Sequence, residues 1–377
     1  MNLKKARVLI AAQYAAPYEG NFIASLKALQ HELMVKYNAV CAFAFPKSMQ
    51  KQPWAESFIS ENKVYATGNA NSLISGAEAD AIISEFKPDL VHTHFDGYDR
   101  AFFDAARRLS RPTRIVWHMH DSLVYLSNPV KATYQFFCFF RHYGWPFLTA
   151  KRGGGGSPCI IGVCNNEPNF IRKFRLGIHT CEGIIPNGIN IQRISQGMKR
   201  SHDTFSFLAF AGRHIEKRVD FLLLAADSLI KEGYKIRVVL VDGNSPTAAE
   251  NLFSSRPDWL TEIKPKEDIN EIFALADCFV STSVHETFSY AIGEATVFGL
   301  PIIQSDIEGT MWNASNPSAF LFKSESVEDL KRVMLQVMAI PPELLSKRCA
   351  ASAANIIRDY SLETWANKVV SFFQSIP

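Results

Sequence analysis

Two carboxylates, Glu286 and Glu294, form a Glu-x7-Glu pair within His285-Glu286-Thr287-Phe288-Ser289-Tyr290-Ala291-Ile292-Gly293-Glu294-Ala295. A carboxylate accepts two hydrogen bonds from a vicinal diol, so the pair suits a ligand with two sugar rings: ribose hydroxyls on Glu294 and a second sugar on Glu286. Upstream, Gly212-Arg213-His214-Ile215-Glu216-Lys217-Arg218-Val219-Asp220 sets a glycine turn and a basic cluster just ahead of an apolar helical pattern. A guanidinium fork and an ammonium both reach a diphosphate, and fixed cations of this kind neutralise a departing nucleoside diphosphate. Isolated from context, an arbitrary Glu pair is surface charge and cations near a helix start are solvated. The strand–loop–helix setting gives these residues their meaning.

A third cluster lies in the first half of the chain. Trp117-His118-Met119-His120-Asp121 closes an apolar run, and a histidine at the carboxyl tip of a strand can hydrogen-bond a sugar hydroxyl in either tautomer. His120 is the candidate, while His118, His92 and His94 read as core or loop positions. No Asp-x-Asp pair is present to hold a divalent metal. Catalysis is therefore expected to need no metal and no other cofactor, the cations and helix amides standing in the metal's place.

The elements that must position these groups follow one grammar. Val8–Ala11, Leu90–His92 and Ile115–Trp117 are short apolar runs, alternating with helical patterns over Phe22–Val35 and Phe102–Leu109. The rhythm restarts after residue 200. Runs at Phe207–Phe210, Ile236–Val241, Cys278–Val280 and Leu300–Ile303 alternate with helical patterns over Asp220–Lys231, Ile269–Leu275 and Phe288–Val297. Strand–helix alternation implies α/β architecture with doubly wound parallel sheets. The expected layout is a Rossmann-like domain over 1–185, a linker over 186–204 where turn chemistry replaces the apolar rhythm, a second Rossmann-like domain over 205–360, and a C-terminal helix over 361–377. Two such domains should face each other across a cleft and close about the linker. In open α/β sheets, ligands lie beyond the carboxyl ends of the strands, so a helix starting near Thr287 would aim its first amides, Thr287 to Tyr290, at an anion.

Composition narrows the class. The chain has 377 residues, 47% hydrophobic and 20% charged, enough for two buried cores in a globular protein. Residues 1–185 hold 21 Lys and Arg against 14 Asp and Glu, whereas residues 186–377 hold 19 against 23. The basic half suits an anionic partner or plain solvation equally. Seven cysteines without a CxxC pair read as reduced thiols. With no signal-peptide pattern and no apolar run long enough to span a bilayer, the expectation is a cytoplasmic protein. Two segments break the pattern. Gly153-Gly154-Gly155-Gly156-Ser157 is a flexible-linker sequence, and Tyr134–Phe147 carries aromatic residues around Arg141 and His142, with Lys151 and Arg152 beyond. The aromatic segment fits a buried helix or an interfacial one that contacts a membrane through residues 134–152.

Together these motifs resemble family 4 of the retaining glycosyltransferases with the GT-B fold. The features that carry the likeness are Gly212-Arg213 with a nearby Lys, Ile185-Pro186-Asn187-Gly188-Ile189, the Glu286/Glu294 pair, and Ala295 followed by Gly299-Leu300-Pro301-Ile302. The resemblance implies a nucleoside-diphosphate sugar donor whose diphosphate is held by Arg213 and Lys217, its sugar by Glu286 and its ribose by Glu294. Thr287, Phe288, Ser289 and Tyr290 would line the same donor site, with Gly20 approaching it and His120 facing the sugar. The departures are Asn21 where the family has a second glycine, Ser289 where it has a glycine, and a lysine one residue early, which leaves Lys217 and Arg218 as alternative second cations. The implied acceptor is a saccharide or lipid-linked saccharide of surface polysaccharide synthesis at the inner membrane face, with no nucleic acid involved. The competing readings are a non-catalytic partner subunit and a GT-B sugar-nucleotide epimerase.

Overall fold

In the computed structural model, residues 1–68, 74–109, 112–120, 158–165, 181–195, 204–212, 215–241 and 252–377 are described. Arg213, the aromatic segment 134–152 and the Gly153–Ser157 run lie outside them.

After Arg7, the strand β1 (Arg7–Ala12) is an unbroken apolar run because helices cover both faces of its sheet. Val8, Ile10 and Ala12 point to one buried layer, Leu9 and Ala11 to the other. Around β1 lie β2 (Val40–Pro46), β3 (Val64–Thr67), β4 (Leu90–His94), β5 (Arg114–Met119), β6 (Cys159–Gly162) and β7 (Glu182–Ile184). They form a seven-stranded parallel sheet in the order β3-β2-β1-β4-β5-β6-β7. One layer is filled from α1 (Gly20–Tyr37) and α2 (Ala55–Glu61), the other from α3 (Gly76–Phe86) and α4 (Asp96–Arg107). A capping box between Ser75 and Glu78 starts α3.

The second sheet repeats the plan. Its strands are β8 (Phe205–Phe210), β9 (Ile236–Val241), β10 (Leu260–Ile263), β11 (Cys278–Ser281), β12 (Ile302–Ser305) and β13 (Ala319–Phe322). All pair in parallel, in the order β10-β9-β8-β11-β12-β13. Phe207 and Ala209 face a layer built with α5 (Val219–Lys231), α8 (Val327–Met338) and α9 (Pro342–Tyr360). On the opposite face, Phe210 and Phe279 pack with Phe273 of α6 (Ile269–Phe273), which in turn meets Phe298 of α7 (Tyr290–Phe298).

Gly299 ends α7 at φ 104°, a conformation that strongly favours glycine, and Leu300 N–H donates back to the Ala295 carbonyl at 3.0 Å. Pro301 then leads directly into β12, which is the structural content of the Gly-Leu-Pro-Ile run.

The chain divides into two compact units, Met1–Gly188 with Leu362–Pro377, and Ile189–Ser361. The segment expected as a linker is thus split, Pro186–Gly188 belonging to the first unit and Ile189 onward to the second. Ile189 pairs in parallel with Ser361 and donates to the Tyr360 carbonyl at 2.7 Å. The last helix, α10 (Leu362–Ser375), is amphipathic, and its Trp365, Val369 and Phe373 recur every fourth residue along the stripe buried in the first unit. Lys36 Nζ donates to Asn367 Oδ1 across the α1–α10 contact at 3.0 Å.

Candidate functional site

In both sheets the strand order reverses between the first and fourth strands, so adjacent carboxyl tips send their loops in opposite directions and leave a crevice for ligands. In the second unit these tips belong to β8 and β11, whose loops carry the two clusters singled out in the sequence.

After β8, Gly212 turns at φ 57°, and a short 3-10 turn over Ile215–Lys217 leads to Arg218. Arg218 precedes α5 in the left-handed region, at φ 44°. Lys217 and Arg218 consequently diverge. Arg218 makes two hydrogen bonds from Nε to the Asp220 carboxylate at 3.0 and 3.2 Å and one from Nη2 at 2.9 Å, reaches Glu325 at 3.4 Å, and lies over the Phe221 ring at 4.0 Å. The Asp220 carboxylate raises its already high pKa further. Lys217 instead donates to Glu286 Oε1. The two neighbours are thus engaged differently, Lys217 by Glu286 and Arg218 by Asp220 and Glu325.

The loop after β11 is held tightly. Thr282 Oγ1 donates to the Lys217 carbonyl at 2.8 Å, Val284 N–H to the Glu216 carbonyl at 2.9 Å, and Ser283 Oγ to Glu286 Oε1 at 3.0 Å. The Glu286 side chain is 14% exposed. Its main chain lies against Gly309, where an added Cβ would stand 1.9 Å from the Glu286 carbonyl oxygen. Gly309 belongs to a 3-10 turn over Glu308–Asn313, fixed by Gln304 Nε2 to the Thr310 carbonyl at 2.7 Å, Asn313 Nδ2 to Gln304 Oε1 at 2.8 Å, and Asn316 Nδ2 to Asn313 Oδ1 at 2.8 Å. Phe288 is buried and stacks on Trp312 at 4.4 Å, so it anchors the loop. Burial lowers the His285 pKa, against the opposing pull of Glu286 and Glu216.

The helix carrying Glu294 begins at Tyr290, with Ser289 as its cap residue, and not near Thr287 as the sequence suggested. Thr287 and Phe288 remain in the loop because Phe288 is committed to Trp312. A helix's opening amides have no acceptor within the helix, and the Ser289 side chain makes no capping bond to them. Glu294, on the next turn, is buried, and Arg193 Nη1 approaches its Oε1 at 3.6 Å. Ser283, Gly309 and Arg193 escaped the sequence reading. Only the Ser281-Thr282-Ser283 turn gave a local signal, since Gly309 and Arg193 reach the site from distant parts of the chain.

In the first unit, Gly20 opens α1 at φ 57° and Asn21 is buried. The histidines form an ordered array. Alternation along β4 and β5 sends Thr93 and Trp117 to one face, and His92, His94 and His118, with His120 just beyond β5, to the face covered by α1 and α10. His92 Nε2 lies 3.2 Å from His118 Nδ1, and His94 Nδ1 lies 2.9 Å from His120 Nε2. His118 stacks on His94 at 4.9 Å and on His120 at 4.6 Å. Burial depresses all four pKa values, His92 and His120 to about 3 and the other two well below the usual value. All four rings are therefore neutral at pH 7.

His92, His94 and His118 offer ring nitrogens within 4.8 Å of one another. One of these pairs, His92 Nε2 and His118 Nδ1, is 3.2 Å apart, close to the roughly 3.3 Å implied by tetrahedral Zn–N bonds of about 2.0–2.1 Å. His118 stacks on His92 and on His94 with interplanar angles of 27° and 29°, while His92 and His94 are tilted by 56° to each other.

Residues 206–339 match the family described as "Glycosyl transferases group 1". A D-inositol 3-phosphate glycosyltransferase of Corynebacterium urealyticum is 22% identical over 218 residues, 52% of this chain and 51% of that protein. The match thus spans about half the length of this curated relative. Among solved structures, sucrose-phosphate synthase from Thermosynechococcus elongatus superposes with a TM-score of 0.75 at 13% identity, over 98% of each chain. HepE of Anabaena, in complex with UDP-glucose, gives 0.70 at 15% identity, over 98% of this chain and 100% of that one. The lipopolysaccharide outer core galactosyltransferase WaaB gives 0.68 at 14% identity, over 98% and 99%. The fold is therefore GT-B, two Rossmann-like parallel-sheet domains.

Proposed function

We propose that the chain is a retaining glycosyltransferase that moves a sugar from a nucleoside-diphosphate donor to a hydroxyl acceptor without a metal ion. The observation that carries this reading is the meeting of Lys217 and Ser283 on one oxygen of Glu286, at the tips of β8 and β11 where the strand order reverses. The family match over residues 206–339 covers those same elements. UDP-sugars are the first donors to try, given the likeness to HepE.

Each residue then has a task. A diphosphate arriving at the start of α7 competes with Glu286 for the Lys217 ammonium, and Arg213 adds a second cation. Glu286, released from Lys217, accepts hydrogen bonds from the donor sugar, and Glu294 accepts them from the ribose diol. Thr287, Phe288, Ser289 and Tyr290 form the wall between the two carboxylates. In the transfer step the bond from the anomeric carbon to the diphosphate breaks. The acceptor oxygen bonds to the same face of that carbon, and its proton passes to the leaving phosphate oxygen. Lys217, Arg213 and the helix amides stabilise the charge that develops on the diphosphate. Burial keeps His120 neutral, so it serves as a hydrogen-bond partner for a sugar hydroxyl and carries no proton through the reaction.

The acceptor proposed is a lipid-linked saccharide, reached by a protein peripheral to the inner membrane face. The support is the basic balance of residues 1–185 and the fold shared with an outer core galactosyltransferase. Among the described residues no helix is long and apolar enough to cross a membrane. The anomeric proton coupling of the product, read by NMR after transfer from an α-linked UDP-sugar, tests retention. An α-linked product is expected and a β-linked one contradicts the mechanism. Co-sedimentation with anionic liposomes at low salt tests the membrane arm, and no binding would remove it.

A further inference from the structure

We propose that His94 is a positioning residue that holds His120 in a single tautomer, Nδ1–H, by donating from its own Nδ1 to His120 Nε2. The proposal rests on the reading of His120 as the partner of a sugar hydroxyl, and it specifies what His120 brings to that hydroxyl: an N–H donor.

Both rings are fixed before any substrate arrives. Phe22 sets its edge against His94 at 5.2 Å and against His120 at 5.8 Å, with interplanar angles of 80° and 87°. Phe95 covers His120 from 4.8 Å, and His118 stacks on both rings. The 2.9 Å separation of His94 Nδ1 and His120 Nε2 is an ordinary hydrogen-bond distance with one proton between the two nitrogens.

Counting protons decides which ring supplies it. Burial keeps both imidazoles neutral, so each carries one N–H. The other nitrogen of His94, Nε2, is fully buried and has no hydrogen-bond partner among the described residues. If His120 donated, the His94 proton would have to sit on Nε2 as a buried N–H with nothing to meet. If His94 donates, only a lone pair is left at Nε2. Orphaned buried N–H groups are the rarer of the two states in folded proteins. His94 is therefore the donor at Nδ1, His120 accepts at Nε2, and its own proton stays on Nδ1. The hydrogen bond made by one ring nitrogen sets the protonation of the other, so a residue that need not touch substrate fixes the chemical character of one that does.

The test uses full-length protein labelled with 15N-histidine, with long-range 15N–1H correlation at pH 7.5 and the His120 signals assigned by their loss in His120→Gln. The expected wild-type pattern is a single Nδ1–H tautomer at His120. A mixture, or Nε2–H, overturns the proposal without any His94 variant needing to fold. In His94→Leu the tautomer should become mixed and kcat should fall about tenfold to a hundredfold with little change in donor KM. His94→Asn, whose amide can donate from near the Nδ1 position, should recover kcat to within about threefold of wild type. Equal losses in the Leu and Asn variants overturn it. So does stoichiometric zinc in the purified protein whose removal by chelator abolishes activity, because His94 would then be a metal ligand. A fixed Nδ1–H tautomer together with unchanged turnover in His120→Gln would instead defeat the assigned role of His120, separating that failure from this one.

Discussion

Lys217 and Ser283 donate to the same oxygen of Glu286, Oε1, one from the loop after β8 and the other from the loop after β11. That shared acceptor joins the basic cluster to the carboxylate pair. It also separates Lys217 from its neighbour Arg218, whose guanidinium is engaged by Asp220 and Glu325. Lys217→Ala should accordingly lower kcat/KM for the donor by about a hundredfold, the scale of losing one fixed charge stabiliser. Arg218→Ala should leave kcat/KM within about threefold and lower Tm by a few degrees. Steady-state kinetics and thermal unfolding of the two variants check this. The reverse ranking would make Arg218 the diphosphate cation.

Glu294 is buried beside Arg193, and in the proposed donor site it takes the ribose, which is bound alike in the ground and transition states. Its loss should therefore weaken binding more than chemistry. Glu294→Gln is expected to raise donor KM about tenfold and to change kcat by less than about threefold. A fall in kcat at constant KM would move Glu294 to the reacting centre.

Gly309 supports Glu286 by close approach alone. A methyl group there would stand 1.9 Å from the Glu286 carbonyl oxygen, so Gly309→Ala must displace the loop or the turn, at a cost of about 1–3 kcal/mol. Its Tm should drop by several degrees, and turnover by at least about tenfold. Calorimetry and a donor turnover assay check both, and wild-type values in both would show that Glu286 does not depend on this contact.

The strand–helix grammar was legible because parallel strands buried on both faces read as apolar runs. β1, β8, β9 and β11 all do so. β2 and β13 are equally apolar runs that the sequence reading does not take up, whereas the short β3 and β7 carry no such run. The carboxylate pair was legible because both members share one loop and helix. The helix start was misplaced by three residues because Phe288 packs on Trp312, a tertiary contact that local pattern does not encode. The same reason hid Gly309 and Arg193. The His-x-His runs at 92–94 and 118–120 were visible singly. Their meeting depends on β4 pairing with β5 so that His94 stands opposite His118.

The histidine array predicts a pH dependence of stability. The folded pKa values lie below the unfolded value of about 6.5, so below that pH the unfolded chain binds more protons than the folded one. The stabilisation of the neutral array is thus complete above about pH 6.5 and declines as pH falls, by up to about 1.4 kcal/mol per pH unit for each histidine. Tm should drop clearly between pH 6.5 and 5, above the range in which carboxylates titrate. A flat Tm over that window would mean that the four rings are not held neutral by burial.

The most direct measurement is release of nucleoside diphosphate from UDP-, GDP- and dTDP-sugars by the purified full chain and by Glu286→Ala. The account predicts that wild type turns over at least one donor, releasing its diphosphate, and that Glu286→Ala loses at least about a hundredfold while remaining folded. Unchanged turnover in Glu286→Ala, or the return of an intact, epimerised nucleotide sugar in place of free diphosphate, would contradict it.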